Sequence, residues 1–231
     1  MKRFFPLALI AVFILSAMAI VYPRAANGQG AGLVSSVLNR MEKNRQSLKT
    51  LRAGISMEKY NAQLRDKEDF QGVVLCMPGA GKSAAVKIEW TSPQHEILAI
   101  ANNKYTIFRP RLGTAIQGDS RKAPKASGML DMMYMSRQQL EARFQPIQDV
   151  REETLWGGVS TIHLTLVPKG NASYKYAEVW IDNGGMPVQT KIVEKNDDAT
   201  TMRLTSLEKN IKMSQGDIEV KLPSDVKIVR G

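Results

Sequence analysis

Residues 86 to 112 alternate large apolar and polar side chains in three short runs, centred on Ile88, Leu98 and Ile107 and joined by very short turns. A period of two places alternate side chains on one face of a strand. Turns this short require consecutive strands to pair with each other. The segment therefore predicts a three-stranded meander with one apolar face, which is either part of a permanent core or the wall of an apolar pocket.

Further strands are predicted on both sides of the meander. A hairpin precedes it between Ile55 and Met77, and a last short strand is expected between Ile218 and Val229. The segments after Pro146 that read as strands are 150–156, 159–167, 174–182, 187–195 and 200–209. About ten strands exceed what a flat twisted sheet usually keeps without curling. The fold class predicted is mainly β with helices: a single unclosed, half-open antiparallel β-barrel.

Two helical regions are predicted to cover this sheet. From Leu33 to Leu51 the apolar residues have the spacing of an amphipathic helix. In the middle of the chain, Gly128 to Met135 is a short Met-rich apolar segment, and Ser136 is a typical helix N-cap. Methionine repacks easily around irregular apolar partners. The Met-rich segment is therefore either a core helix with methionine as a gap-filler or a movable lid over a binding site.

The N-terminus has the pattern of an export signal. Lys2 and Arg3 precede an uncharged stretch from Phe4 to Pro23, and Ala26-Asn27-Gly28 fits cleavage before Gln29. The stretch is also about as long as the ~20 residues of a membrane span, so a retained anchor is the competing interpretation. The organisation expected is a signal peptide at 1–28 and one domain at 29–231, located in the periplasm.

The composition of the chain excludes or disfavours several classes of function. The net charge of +10 comes from scattered Lys and Arg rather than from a basic stripe interleaved with aromatic residues, which argues against nucleic-acid binding. Cys76 is the only cysteine, so no intrachain disulfide can form, and its apolar strand predicts a buried thiol.

No motif for catalysis, metal binding or cofactor binding is found. Pro78 to Ser83 looks like a phosphate-binding loop, but its glycine spacing is wrong and a strand pattern follows where a helix is required. His95 and His163 are too few for a three-histidine zinc site, and His163 is expected to be a satisfied structural histidine. The chain is predicted to be no enzyme and to need no cofactor, although the sequence leaves open an acid pair assembled in three dimensions.

The order of these features resembles the LolA-type outer-membrane lipoprotein carriers. The resemblance rests on Gln71-Gly-Val-Val-Leu75, a strand ending at Trp90 with a proline at 93, and an aromatic strand ending at Pro110. It continues in Thr161-Ile-His-Leu-Thr-Leu-Val-Pro168 and in the proline-containing C-terminal segment, Ile218 to Val229. The pattern covers nearly all of the chain after the leader, but its motifs are diffuse.

The resemblance implies a half-open barrel whose apolar face, covered by helices, holds the acyl chains of a lipoprotein. It further implies a carrier that takes cargo from an inner-membrane ATP-driven release complex and passes it to an outer-membrane receptor. The chain is expected to be a monomer. The family usually has an arginine before the first proline, where this chain has Met77. A lid would therefore be held closed in another way.

The residues expected to line a lipid cavity are apolar residues of the meander and of the Met-rich segment: Ile88, Trp90, Leu98, Ile100, Tyr105, Ile107, Met129, Leu130, Met132 and Met133. The rival interpretation is a periplasmic sensor or scaffold of the same fold, which binds lipid or peptide and transports nothing.

Overall fold

The computed structural model describes residues 27–78, 84–122, 135–147 and 149–231. The described helices are α1 (Asn27–Ser47), α2 (Arg137–Arg143) and α3 (Gln215–Ile218). The described strands are β1 (Leu51–Asn61), β2 (Asp66–Met77), β3 (Ala85–Ser92), β4 (Glu96–Ala101), β5 (Lys104–Arg109), β6 (Thr114–Asp119), β7 (Val150–Leu155), β8 (Val159–Leu166), β9 (Tyr174–Asp182), β10 (Pro187–Glu194), β11 (Ala199–Lys209) and β12 (Lys227–Arg230).

All twelve strands belong to one sheet, in the order β12-β6-β5-β4-β3-β2-β1-β11-β10-β9-β8-β7. Neighbours pair antiparallel except β12 and β6, which are parallel. In the described structure β7 and β12 are the two edges and do not pair with each other, so the sheet is not closed. The predicted fold class, an unclosed β-barrel with helices, is confirmed.

The sheet curls strongly, as its strand number requires. Leu98 on β4 and Ile192 on β10 line the same cavity, although five strand spacings separate β4 from β10. In a flat sheet five spacings of about 4.8 Å would hold these side chains more than ~20 Å apart. The curvature makes one face concave, and the apolar residues of the predicted meander lie on that face.

Helix α1 packs on the concave face of the β7–β10 half of the sheet. Val37, Leu38 and Met41 of α1 are buried in one cluster with Leu140 and Phe144 of the α2 region and with the inward-facing residues of β8 and β9. Helix α2 has the predicted N-cap. The Ser136 hydroxyl accepts a hydrogen bond from the Gln139 backbone N–H, and the Gln139 side-chain oxygen accepts one from the Ser136 backbone N–H.

The hairpin turn predicted at Asp182 to Gly185 is present and receives α1. Gly185 has a φ of +82°, and a Cβ there would lie 2.3 Å from the backbone oxygen of Arg40. Arg40 in turn donates from Nη1 to the Asn183 carbonyl oxygen at 3.2 Å. Glycine is therefore required at position 185 for two reasons: the turn needs a positive φ, and the helix backbone lies too close for a side chain.

The first helix, the region 114–119 and the last strand differ from the sequence prediction. Helix α1 ends at Ser47 rather than at residue 51, because the chain is held extended by hydrogen bonds from Lys49 N–H to Asn210 Oδ1 and from the Thr50 hydroxyl to the Ile211 carbonyl. Residues Thr114–Asp119 form an unpredicted strand. The expected last strand is confined to Lys227–Arg230.

Residues 1–26, which include most of the predicted signal peptide, lie outside the described residues. No helix in the described ranges combines the length and the apolar content of a membrane span.

Candidate functional site

The six meander residues expected to line a cavity do share one face of the sheet. Ile88 pairs with Leu98, Leu98 pairs with Ile107, and Ile100 pairs with Tyr105 across β3, β4 and β5. Trp90 follows Ile88 by two residues on β3 and therefore faces the same way. Five of the six are buried in the larger apolar core, and Ile107 is half-buried against it. Contact of these residues with a ligand stays a prediction.

The four lining residues predicted in the Met-rich segment, Met129, Leu130, Met132 and Met133, lie outside the described residues, as does most of the predicted central lid. Met77, which precedes the first proline of the sequence resemblance, is the last residue of β2 and is half-buried opposite Ala85 of β3.

A cavity of about 840 Å³ opens at one end of the curled sheet. We call it the mouth cavity; it lies at the end where the turns 62–65, 93–95 and 195–198 connect the strands. Its apolar floor comes from strands on both sides of the barrel, namely Met57, Phe70, Trp90, Leu98 and Ile192. The volume falls within the range of about 300–1,000 Å³ that is typical of ligand pockets. Two of the predicted lining residues, Trp90 and Leu98, contribute to it.

Two aromatic rings form the central part of the floor. The Phe70 and Trp90 rings meet edge to face, with centroids 5.7 Å apart. A close approach of β2 and β3 beside them requires glycine, because a Cβ on Gly72 would lie 2.2 Å from the Glu89 carbonyl oxygen. The Lys59 ammonium lies over the open face of Phe70, 4.4 Å from the ring centroid, in a cation–π contact.

The rim of the mouth cavity is charged and predominantly acidic. The carboxylates that line it are Asp66, Glu68, Glu96, Glu194 and Asp198, and the lining ammonium groups are those of Lys59 and Lys67. The cavity therefore combines an apolar, aromatic floor with a polar entrance. Such a site suits an amphipathic ligand, whose apolar part is buried while its polar part stays at the water boundary.

A second cavity of about 370 Å³, which we call the helix cavity, lies between α1, α2 and β8. Leu38, Leu140, Phe144 and Leu166 contribute its buried apolar walls. Two cations at its edge are both bonded to Glu141: Arg137 Nε donates to its carboxylate at 2.7 Å and Lys169 Nζ to its carbonyl oxygen at 2.7 Å.

The two cavities lie along one row of inward-facing residues. Leu166, in the wall of the helix cavity, pairs with Ala177 on β9, and Ala177 pairs with Ile192 on β10, in the floor of the mouth cavity. Only strand β9 stands between the two cavity walls. Both cavities therefore open onto the concave face near the same end of the sheet.

His163 is on the opposite, convex face, where it stacks on Trp180 with ring centroids 4.6 Å apart. It is fully buried, and neither ring nitrogen has a hydrogen-bond partner among the residues that the structure describes, so the expectation of a satisfied histidine was wrong. Its Nε2 lies 3.5 Å from Oε1 of Glu178. Burial lowers the pKa of His163, the Arg151 guanidinium lowers it further, and nearby carboxylates, first that of Glu178, oppose both effects.

Cys76 lines neither the mouth cavity nor the helix cavity. Cys76 is buried in the core, as predicted. Within the ranges that the structure describes, no three His, Cys, Asp or Glu residues are arranged to hold a metal ion.

Sequence reasoning missed Phe70, Met57 and Ile192 as cavity residues. The alternation of apolar and polar residues in the first hairpin and in the strand at 187–195 indicated which face of the sheet these side chains lie on. Alternation gives no information about which distant strand lies opposite, and the cavity forms only where β2 and β10 face each other across the curled sheet.

No protein-family model matches the sequence, and no curated protein matches it either. Solved structures do match. An uncharacterized conserved protein from Thermus thermophilus is 12% identical, with 86% of this chain and 99% of that chain covered and a TM-score of 0.54.

MucB from Pseudomonas aeruginosa, in its complex with MucA, is also 12% identical, with a TM-score of 0.51 over 84% of this chain. This chain spans 62% of the length of that protein. A LolA superfamily protein from Nitrosomonas europaea matches at 10% identity over 80% of this chain and 97% of that chain, with a TM-score of 0.41, a score too low to support an inference. The first two likenesses show a shared fold, and the architecture that the sequence resemblance implies, an unclosed barrel, is the one observed.

Proposed function

We propose that the chain is a non-enzymatic, exported carrier that binds the acyl chains of lipoproteins or related lipids on the concave face of its half-open barrel. The observation that supports this most strongly is the mouth cavity, because five apolar side chains line a cavity that opens at one end of the sheet. Burying an acyl chain is worth about 0.8 kcal/mol per CH₂ group. A cavity of this kind therefore provides the driving force for carrying a lipid across water.

The helix cavity supports the same proposal. It adds apolar walls on the same face, one strand away from the floor of the mouth cavity. An acyl chain that enters at the open end would meet apolar surface under α1 as well as between β3 and β10. The resemblance to LolA-type carriers adds three features to this proposal. The protein is located in the periplasm, an inner-membrane ATP-driven release complex loads it, and it delivers its cargo to an outer-membrane receptor.

A second candidate is a sensor or scaffold that binds a partner's peptide and transports nothing. The likeness to MucB favours it, because that protein was solved in a complex with MucA. The charged rim of the mouth cavity is equally suited to a peptide.

Mass spectrometry of organic extracts tests the proposal. The full chain is expressed for export with and without an overproduced lipoprotein, purified without detergent and extracted. The carrier proposal expects co-purifying lipid or lipoprotein, which Phe70→Glu removes while the control Trp156→Glu retains it, since Trp156 is 88% exposed and does not line the cavity. Protein that is consistently free of lipid and also fails to extract lipoprotein from membranes would refute it.

A further inference from the structure

The charge of the mouth cavity is opposite to the charge of the protein. The whole chain carries a formal net charge of +10, with 32 Lys and Arg against 22 Asp and Glu. The residues that line the mouth cavity include five carboxylates and two ammonium groups, which gives a formal charge of −3 at the entrance. An acidic entrance on a basic protein is a local feature that net charge does not predict.

Ion pairs remove only part of this charge. Glu96 accepts from Arg109 Nε at 2.7 Å, which neutralises one carboxylate. Lys67 is paired with Glu58 at 2.8 Å, and Glu58 does not line the cavity, so Lys67 contributes little positive charge to the entrance.

Three rim carboxylates have no salt-bridge partner within the described part of the chain. Asp66 and Asp198 accept only from neutral donors, such as the backbone N–H groups of Lys67 and Ala62 at 2.8 Å. Glu68 lies opposite Lys59 in the register of β1 and β2, yet the Lys59 ammonium lies over the Phe70 ring instead of on the carboxylate. The rim therefore presents acceptors and negative charge to whatever occupies the entrance.

Aromatic side chains accompany the carboxylates in this cavity, and one of them already contacts a cation. Phe70 already holds one ammonium group on its face, that of Lys59. Tyr60 and Trp90 also line the cavity. Aromatic faces beside carboxylates attract ammonium and guanidinium groups.

We propose that the mouth cavity takes a cationic amphiphile, in which a Lys- or Arg-bearing peptide segment lies at the acidic rim and the attached acyl group lies on the apolar floor. This inference rests on the proposed carrier function and specifies its cargo class: lipoproteins whose acylated end is followed by basic residues. An anionic lipid headgroup is the disfavoured occupant, because Asp66, Glu68 and Asp198 would repel it.

Two synthetic lipopeptides of equal length test the inference. Each is a palmitoylated peptide, with four lysines in one and four glutamates in the other, titrated into the full-length protein by calorimetry at low and at high salt. Because the exposed rim carboxylates attract the lysines and repel the glutamates, we expect the lysine form to bind at least about fivefold more tightly at low salt. The preference should shrink as salt rises, since the charges are exposed.

A pair of charge-reversal variants locates the effect. Asp66→Lys with Glu68→Lys should abolish or invert the preference. The control, Glu219→Lys with Asp225→Lys, makes the same change in net charge at exposed positions of the C-terminal segment, outside the cavity, and should keep the preference. Both pairs leave the apolar floor intact, and circular dichroism verifies that the variants are folded.

The outcomes separate this inference from the function on which it rests. Tight binding of both lipopeptides without a preference, or a preference for the glutamate form, would overturn the cationic cargo class and leave the carrier proposal standing. Failure of both to bind would contradict the carrier proposal itself, and this inference with it.

Discussion

Phe70 on β2 and Trp90 on β3 meet edge to face, with ring planes inclined at 63° and centroids 5.7 Å apart, and their contact forms part of the floor of the mouth cavity. Trp90 is 4% exposed, whereas Phe70 is only partly buried. Trp90 thus belongs to the permanent core of the protein, and Phe70, which packs on it, belongs to the cavity floor that we propose as the binding surface for acyl chains.

Replacing Phe70 by Ala should weaken acyl binding and also destabilise the fold. Loss of the aromatic contact should lower the free energy of unfolding by about 0.5–1.5 kcal/mol, in addition to the loss from the apolar surface that is no longer buried. Titration with a fluorescent fatty acid should show an affinity loss of about tenfold, equivalent to ~1.4 kcal/mol. Trp156→Ala, at an 88% exposed position on the turn at the opposite end of the sheet, is the control and should change neither quantity. Unchanged affinity in Phe70→Ala would exclude this floor from binding.

Ile88→Ala should destabilise the protein severely. Ile88 is fully buried in the larger core, and truncation of such a residue leaves a cavity that costs about 2–5 kcal/mol. Urea unfolding should show a lower midpoint with an unchanged slope. Val73→Ala on the neighbouring strand, where Val73 is 37% exposed on the other face, should cost far less. Equal losses in the two variants would mean that Ile88 is not a core residue.

His163 should make the protein less stable as the pH falls. Burial lowers its pKa in the folded state below the ordinary value of 6.5, so the unfolded chain takes up a proton first. Stability is expected to be unaffected by this residue above about pH 7.5 and to decline progressively below the unfolded-state pKa of about 6.5. Urea unfolding across this range should show a smaller decline in His163→Phe, and an unaltered decline in the exposed control His95→Gln. Parallel curves for wild type and His163→Phe would contradict the linkage.

Glu42 should stabilise the junction of α1 and α2 at neutral pH. Its Oε2 accepts from Arg45 Nε at 3.1 Å and from the Arg137 backbone N–H at 3.4 Å, and the Arg45 hydrogen bond is the main cause that lowers the pKa of Glu42 from 4.5 to about 2. A carboxyl with a lowered folded-state pKa contributes stability above its unfolded pKa and loses it as pH falls from about 4.5 to about 2.

Glu42→Gln is therefore expected to lower the free energy of unfolding at neutral pH by up to about 1 kcal/mol, the usual range for exposed ion pairs. The difference from wild type should disappear as the pH approaches 2. Glu152→Gln, at an exposed position of β7, is the matched control and should leave the free energy of unfolding unchanged. A difference that persists at low pH would show that Glu42 acts through packing rather than through its charge.

Local patterns were enough to predict most of the sheet. The five strands after Pro146 and the hairpin turn at Asp182 to Gly185 lie within one residue of the predicted bounds, because alternation and turn residues are local signals. Strand β6 was missed, since Thr114–Asp119 has little apolar alternation and is fixed by pairing with β5 and β12. Its parallel pairing with β12 depends on a contact more than 100 residues away in the chain.

The site was less predictable than the fold. The facing of Ile88, Trp90 and Leu98 followed from period two alone, but their surroundings did not. Ile192 meets Trp90 across a cavity only because the sheet curls, and no local pattern encodes which strands face each other. The end of α1 shows the same limit: Leu48 and Leu51 continue its apolar spacing, yet Leu51 begins β1, where β11 pairs with it.

Quenching of Trp90 by brominated palmitate tests whether acyl chains bind in the mouth cavity. Two variants are compared: Trp156→Phe with Trp180→Phe keeps only Trp90 in the cavity floor, and Trp90→Phe with Trp180→Phe keeps only Trp156 at the opposite end. A carrier that holds acyl chains on its concave face should show saturable quenching of Trp90 and none of Trp156. Trp90 emission that stays unchanged at saturating palmitate, or equal quenching of both residues, would contradict the account.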